Sequence, residues 1–300
     1  MAQVIRKIQS LLPSRRKTKI YSTDGFQKLL YLFMTFFSVF MLLPLFYIFN
    51  HSLKPFSELF IYPPNIFVRQ PTVQNFVELF SITSTSVIPI TRYLFNSIVV
   101  SAMVVISTII VSSLCAYPIS KHKFPGHRLL FAIILLSLMF APETVAIPRY
   151  LVAVNLHIMD TYWGHVLPYL AAPVSVFLMK QFIDQVPNEL IEAARIDGAR
   201  EIMIFLRIVI PICMPAVATV SILAFQGIWS STEASAMFMQ DEAMKTFPFF
   251  LSTLTNGLAN SVARQGAAAA AALILFLPNL IIFMIFQRKV IATMAHSGIK

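Results

Sequence analysis

Few side chains in this sequence are equipped for chemistry, and their placement argues against an enzyme. Glu143 sits in "FAPETVAIPRY", close to Pro142 and Pro148 at the end of an apolar run. A carboxylate at such a place either lines a polar path or is a hydrated group at an interface. Glu233, just past another apolar run, faces the same choice. Asn96 and Gln226 lie inside apolar runs, where an amide joins two helices or meets a polar solute. The histidines at 51, 122, 127, 157, 165 and 296 are scattered without metal-ligand spacing. Cys115 and Cys213 both fall within apolar runs and read as small packing residues. The phosphate-cradling GxxxxGK[ST] loop is missing, as are HExxH, CxxC and GxSxG. The expectation is a non-catalytic chain without a cofactor or metal of its own.

One polar stretch stands out, "NELIEAARIDGAREIMIFLRIVIPICMP" from Asn188 to Pro215. Pro187 and Asn188 are expected to end one helix and cap the next. Glu189 and Glu192 would then lie near its positive N-terminal end, where acids are favoured. Leu190, Ile191 and Ala194 form an apolar side, and Ala193 and Ala194 keep the surface thin enough for a partner to close around it. Gly198 follows Asp197 where a left-handed turn would end the helix. A second helix then starts and becomes apolar, with Pro211 and Pro215 placed to kink it. A short helix with both signs of charge and no large aromatic anchor is poorly suited to lie on lipid. It is better suited to be gripped by protein.

The elements that must position these residues are membrane helices. The chain is 57% hydrophobic and 12% charged, where a soluble domain is about a quarter charged. The apolar residues cluster into six runs, roughly 29–49, 93–117, 129–148, 162–183, 204–229 and 267–286. Each is long enough to cross about 30 Å of hydrocarbon as a helix. The first run is too long for a cleavable signal and lacks a small-residue cleavage site. The net charge of +10 would suggest nucleic acid in a soluble protein. Here 17 of the 23 Lys and Arg fall on alternating connections together with both termini. The positive-inside rule accounts for that bias and predicts both termini in the cytoplasm. Residues 1–27 form a basic cytoplasmic tail expected to touch anionic lipid, and residues 28–300 form the transmembrane domain. The fold class is all-α membrane protein, six spans, with the charged helix on the cytoplasmic face between the fourth and fifth. "PTVQNFVELF" in the first long outer segment reads as a short amphipathic helix capped by Thr72. The alanines 267–272 predict close helix packing at the start of the last span.

"EAARIDGA" followed by "IVIPICMP" resembles the EAA loop of binding-protein-dependent ABC importer permeases. The matching residues are Glu192, Ala193, Ala194, Gly198, Ile208, Ile210 and Pro211, with Ile210 where the family usually has Leu. Asp197, Ala199 and the preceding "VPNELI" are similar to the carbohydrate branch. "YLFNSIVVSA", "CAYPISKHKFPGHR" and "IPRYLVAVNLHIMDTYWGHVLPY" are similar to landmarks of its maltose-type second permease subunit. The family usually carries Trp-Asn after the fifth span, where this chain has Trp229-Ser230. The resemblance implies a type I permease fold in a bacterial cytoplasmic membrane, and a coupling loop of Glu189, Glu192, Ala193, Ala194, Asp197, Gly198, Ala199 and Pro211. It also implies four kinds of partner: a second, different permease, two ABC ATPases that carry ATP and Mg, an extracytoplasmic solute-binding protein, and a sugar or oligosaccharide as cargo.

Two other readings of the chain are weaker. An importer permease for a polyamine or phosphate ester would keep the same loop. A secondary transporter would need internal repeats or paired ionisable groups in the spans, and the sequence shows neither.

Overall fold

A computed structural model describes residues 25–59, 61–62, 65, 67–84, 88–255 and 265–297. Most of the expected basic tail lies outside these residues. Among the described residues there are helices and connections but no strands. The chain divides into two units, Met1–Tyr47 and Ile48–Lys300.

The first unit holds most of helix α1, which runs Gly25–Ser52 and has no Asp, Glu, Lys or Arg after Lys28. Twenty-eight residues rise about 42 Å, more than the hydrocarbon thickness. In the second unit come α2 (Phe56–Leu59), α3 (Gln74–Ser84), α4 (Ile90–Lys121), α5 (His127–Ser137), α6 (Pro142–Asn155), α7 (Tyr162–Leu170) and α8 (Pro173–Asp184). They are followed by α9 (Asn188–Ile196), α10 (Glu201–Ile212), α11 (Met214–Trp229), α12 (Glu233–Phe238), α13 (Phe247–Thr255) and α14 (Gln265–Ser297). The Thr72 hydroxyl accepts from the Gln74 amide at 3.1 Å, so Thr72 serves the start of α3 as its position suggested.

Three helices, α1, α4 and the Gln265–Gln287 part of α14, are each long and apolar enough to cross a membrane. The other three apolar runs are helix pairs, bent by 110° between α5 and α6, 52° between α7 and α8, and 79° between α10 and α11. Prolines explain the breaks. Ala141 precedes Pro142 and takes φ −67, ψ 140, the extended region forced on a residue before proline. The run 129–148 is therefore not one straight helix. Ala172 before Pro173 is likewise non-helical. Pro211 follows a π-helical turn over Phe205–Val209, in which the Ile210 amide reaches back five residues to Phe205 O. That wider turn makes room for a ring that would otherwise meet the carbonyl four residues back. The chain then breaks at Cys213, two residues before Pro215.

Helix α4 is the centre of the second unit and packs against α7, α8 and α11. Its buried ridge is built of small or polar residues, Asn96, Ser97, Val100, Ser101, Val104, Thr108 and Ser112. Small side chains let helix backbones approach, which is how helices associate where lipid already satisfies apolar surface. On the same helix Phe95, Ile98, Ile106 and Ile110 stay exposed, a fault in water but not against acyl chains. Toward one end of α4, Tyr93 joins Leu79, Phe247, Phe250 and the fully buried Ala267, Ala270 and Ala271. The alanine run thus packs closely at the start of α14, and Gly266 before it lies so near Asn75 that a Cβ would fall 2.3 Å from Asn75 Oδ1. Toward the other end, Ala116 and Tyr117 join Met179, Ile183, Ile191, Ile204, Phe205 and Val209. This second cluster positions α9.

Candidate coupling site

Helix α9 forms because its nine residues combine helix-favouring Glu, Leu, Ala and Arg with one apolar anchor. Ile191, 3% exposed, is the anchor in the cluster under α9, with Ala194 and Ala199 packed beside it. The opposite face is open. Glu189, Leu190, Glu192, Ala193, Ile196 and Asp197 are all exposed, and Ile196 reaches 86%. So the apolar side expected from Leu190, Ile191 and Ala194 splits, with Leu190 turned outward and Ile191 turned in.

The start of α9 is held differently from the sequence reading. Pro187, not Asn188, is the N-cap, and no side chain caps the helix. Asn188 is the first helical residue, and its Oδ1 accepts instead from Lys121 Nζ at 3.1 Å. The same ammonium donates to Val186 O at 2.6 Å. One cation from the end of α4 thus grips both sides of Pro187, and a charged donor makes the stronger bond.

The end of α9 is a Schellman turn. Asp197 is the C-cap, and Gly198 has φ +79. The Gly198 amide donates to Arg195 O and the Ala199 amide to Ala194 O, both at 3.0 Å, the two bonds that define this motif. Beyond the turn, Arg195 Nη2 donates to both oxygens of Glu201 at 3.1 and 3.2 Å, with Nε adding a third bond at 3.3 Å. Those bonds and the charge of Glu201 raise the Arg195 pKa. Glu201 Oε1 also receives the Tyr117 hydroxyl and lies 3.0 Å from His122 Nε2. One carboxylate at the head of α10 therefore joins the end of α4, the loop after it and α9.

Lys121, Tyr117, His122 and Glu201 were not singled out from the sequence. Glu201 lies three residues past the glycine and six past its partner Arg195, a local hint, but its other partners, His122 and Tyr117, are 79 and 84 residues away.

The proposed path residues separate. Gln226 is exposed on α11, beside exposed Leu223 and Gly227. Glu143 is exposed in the first turn of α6. Asn96 is fully buried, and its amide is spent within the chain. It donates to Ala243 O at 2.8 Å and Lys245 O at 2.9 Å, and accepts from the Tyr162 hydroxyl at 2.9 Å. Glu233 is paired with Arg149 of α6 at 3.3 Å. Both tie the segment 230–247 to the helices beneath it. His165 Nε2 and Asp160 Oδ1 reach the same segment, at Met244 O and at the Gln240 and Asp241 amides. Among the described residues no group of three or more His, Cys, Asp or Glu could hold a metal.

Residues 23–295 match the family described as "Binding-protein-dependent transport system inner membrane component". The chain belongs to that family. It is a multi-pass inner-membrane permease subunit, a transport component and not an enzyme. It is 30% identical over 271 residues to the arabinooligosaccharides transport system permease protein AraQ of Bacillus subtilis, covering 90% of this chain and 94% of the relative. It is 27% identical over 261 residues to the trehalose transport system permease protein SugB of Mycobacterium tuberculosis, covering 86% and 92%. Its fold is that of a chain in a bacterial ABC transporter involved in the import of the acidic polysaccharide alginate. There the TM-score is 0.76 at 19% identity, covering 89% of this chain and 97% of the other.

Proposed function

We propose that this permease is one of two different transmembrane subunits of an ATP-driven importer for a sugar or oligosaccharide. Two ABC ATPases, carrying ATP and Mg, would grip the exposed face of α9. A solute-binding protein outside the membrane would deliver the cargo. The chain crosses the membrane six times with both termini inside, three crossings being made by the bent pairs. The coupling residues are Glu189, Glu192, Ala193, Ala194, Asp197, Gly198, Ala199 and Pro211. Glu143 and Gln226 remain candidates for the translocation path, whereas the bonds of Asn96 and Glu233 favour a structural part for those two.

The observation that carries this reading is the mounting of α9. Its two ends are clamped to α4 and α10 by charge-assisted bonds, while its outer face keeps exposed Leu190, Ala193 and Ile196 between exposed carboxylates. A helix is stiff along its axis, so force on that face reaches α4 and α10 as a rigid rotation. The relatives named for arabinooligosaccharides and trehalose favour a saccharide over a polyamine or phosphate ester. The cargo is uncharged in those cases, which suits a path whose candidate groups are an amide and one carboxylate.

Purification of the tagged chain from its native membrane tests the assembly. It should carry one copy of a second permease and two ATPase copies. A homodimer of this chain that imports sugar would refute the two-permease reading. A cytoplasm-active reporter should work after Lys300 and fail near Arg69, and the reverse would refute the topology.

A further inference from the structure

Beside the coupling site, a separate basic cavity opens between the loop after α4, the start of α5 and α8. It has a volume of about 310 Å3 and is lined by Ser120, Lys123, His127, Arg128, Phe131 and Lys180, among others. His122 also lines it, but its Nε2 is already 3.0 Å from Glu201. Lys123 and Arg128 are exposed and form no ion pair among the described residues. Lys180 Nζ lies 2.7 Å from Asp184 and 4.6 Å from the centre of the Phe131 ring. Asp184 also accepts from the Ser120 hydroxyl. Of the two carboxylates near the cavity, Asp184 is matched by Lys180 and Glu201 by Arg195, so Lys123 and Arg128 are left over.

The backbone adds to this charge. Helix α5 has no side-chain cap, and its N-cap is Gly126 at φ +89. The His127 amide bonds to Phe124 O, and Leu130 is the first amide to reach back to Gly126 O. The amides of Arg128 and Leu129 fall between them, in the first turn where a helix leaves its donors unpaired. The His127 ring donates from Nδ1 to Phe124 O at 2.8 Å, which leaves Nε2 to the cavity side. A phosphate-sized anion there would meet two cations, free amides and the positive end of the helix.

The surroundings decide what kind of anion. No residue of α5 is buried. Leu129, Leu130, Ile133 and Leu136 stand exposed along it, leading away from the basic mouth. A soluble anion has no use for that apolar track, whereas an acyl chain does. We propose that this cavity is a binding site for the phosphodiester head group of an anionic phospholipid, with its acyl chains lying along α5. The site anchors the turn between α4 and α5 to the inner leaflet, directly beside the residues that clamp α9. This rests on the topology proposed above, which places the loop 120–128 on the cytoplasmic face.

The test uses the complete importer in nanodiscs of phosphatidylcholine with phosphatidylglycerol, released into a native mass spectrometer. Wild type should retain phosphatidylglycerol selectively. Lys123→Gln with Arg128→Gln should lower that retention about thirty-fold, the effect of about 1 kcal/mol for each of two basic groups near an anionic surface. Lys123→Arg with Arg128→Lys should keep it, which guards against a folding defect. Equal retention in wild type and the double Gln variant would overturn the proposal. So would displacement of the lipid by millimolar inorganic phosphate, which would assign the cavity to a free anion. Loss of ATPase subunits with unchanged lipid retention would assign the two residues to a protein contact and equally defeat it. The same spectra report subunit composition, so failure of the lipid site is told apart from failure of the assembly.

Discussion

Gly198 is the residue at which the lever can be tested without touching its contacts. It holds φ +79, and a Cβ built there would meet nothing within 4 Å. Any cost of a side chain is therefore conformational and not a clash inside this chain. An L-residue pays about 1–2 kcal/mol in the left-handed region, with β-branched residues at the upper end and Asn least affected. Against that stand the two turn bonds, Gly198 N to Arg195 O and Ala199 N to Ala194 O, each worth about 1 kcal/mol net. Strain and bonds are comparable, so Gly198→Val should let the turn open in a sizeable fraction of molecules. Each 1.4 kcal/mol shifts that equilibrium tenfold. The angle between α9 and α10 would then vary, and force on α9 would dissipate in the turn. The cost is too small and too local to stop insertion of the apolar helices. Membrane level, ATPase co-purification and solute uptake should be measured for Gly198→Asn, Gly198→Ala and Gly198→Val. Uptake should fall in that order, with Asn near wild type and all three at normal membrane level. If Asn is as damaging as Val, the site needs empty space for a partner and not a left-handed turn. Wild-type uptake in the Val variant would reduce α9 to a strut.

Glu192→Lys leaves the clamps intact and inverts one exposed charge, so it should weaken ATPase co-purification at unchanged membrane level; unaltered co-purification would remove Glu192 from the docking face. Glu201→Ala deletes the acceptor shared by Arg195, Tyr117 and His122. Arg195, His122 and Glu201 are roughly two-fifths exposed, so their ion pairs account for only about 1 kcal/mol of stability, and the buried Tyr117 hydroxyl adds about 1–3 kcal/mol for its lost acceptor, while solute moved per ATP hydrolysed should fall; an unchanged ratio would show that the clasp does not position α9. Asn96→Leu strands two carbonyls, of Ala243 and Lys245, at about 1–3 kcal/mol each. It should lower the Tm without altering solute preference, and a changed preference at constant Tm would return Asn96 to the path.

Local features of the coupling site were readable because they are written within a few residues. The helix, its acidic start, the glycine turn and the proline-associated bend all follow from neighbours in sequence. The clamps are not written that way. Nothing in the sequence near Lys121 says that its ammonium reaches Val186 and Asn188, since that depends on α4 packing against α8. Asn96 was ambiguous for the same reason: an amide in an apolar run looks identical whether it binds a solute or a loop carbonyl 147 residues on. The run 129–148 looked like one straight helix because average hydropathy passes smoothly over Pro142, although that proline already disfavours a helix at Ala141. Asn188 looked like a cap because capping preference is local, and a nearby ammonium outbid the backbone for its oxygen.

The central claim is that this permease moves saccharide when its partner ATPases turn over. The direct measurement is uptake of labelled oligosaccharides into proteoliposomes holding this chain, its partner permease and the ATPase pair, with binding protein outside and ATP inside. The account predicts uptake that requires ATP and binding protein and that falls in the Gly198→Val complex at normal subunit composition. Uptake driven by an ion gradient without ATP, or uptake of a polyamine or phosphate ester with no saccharide, would contradict it.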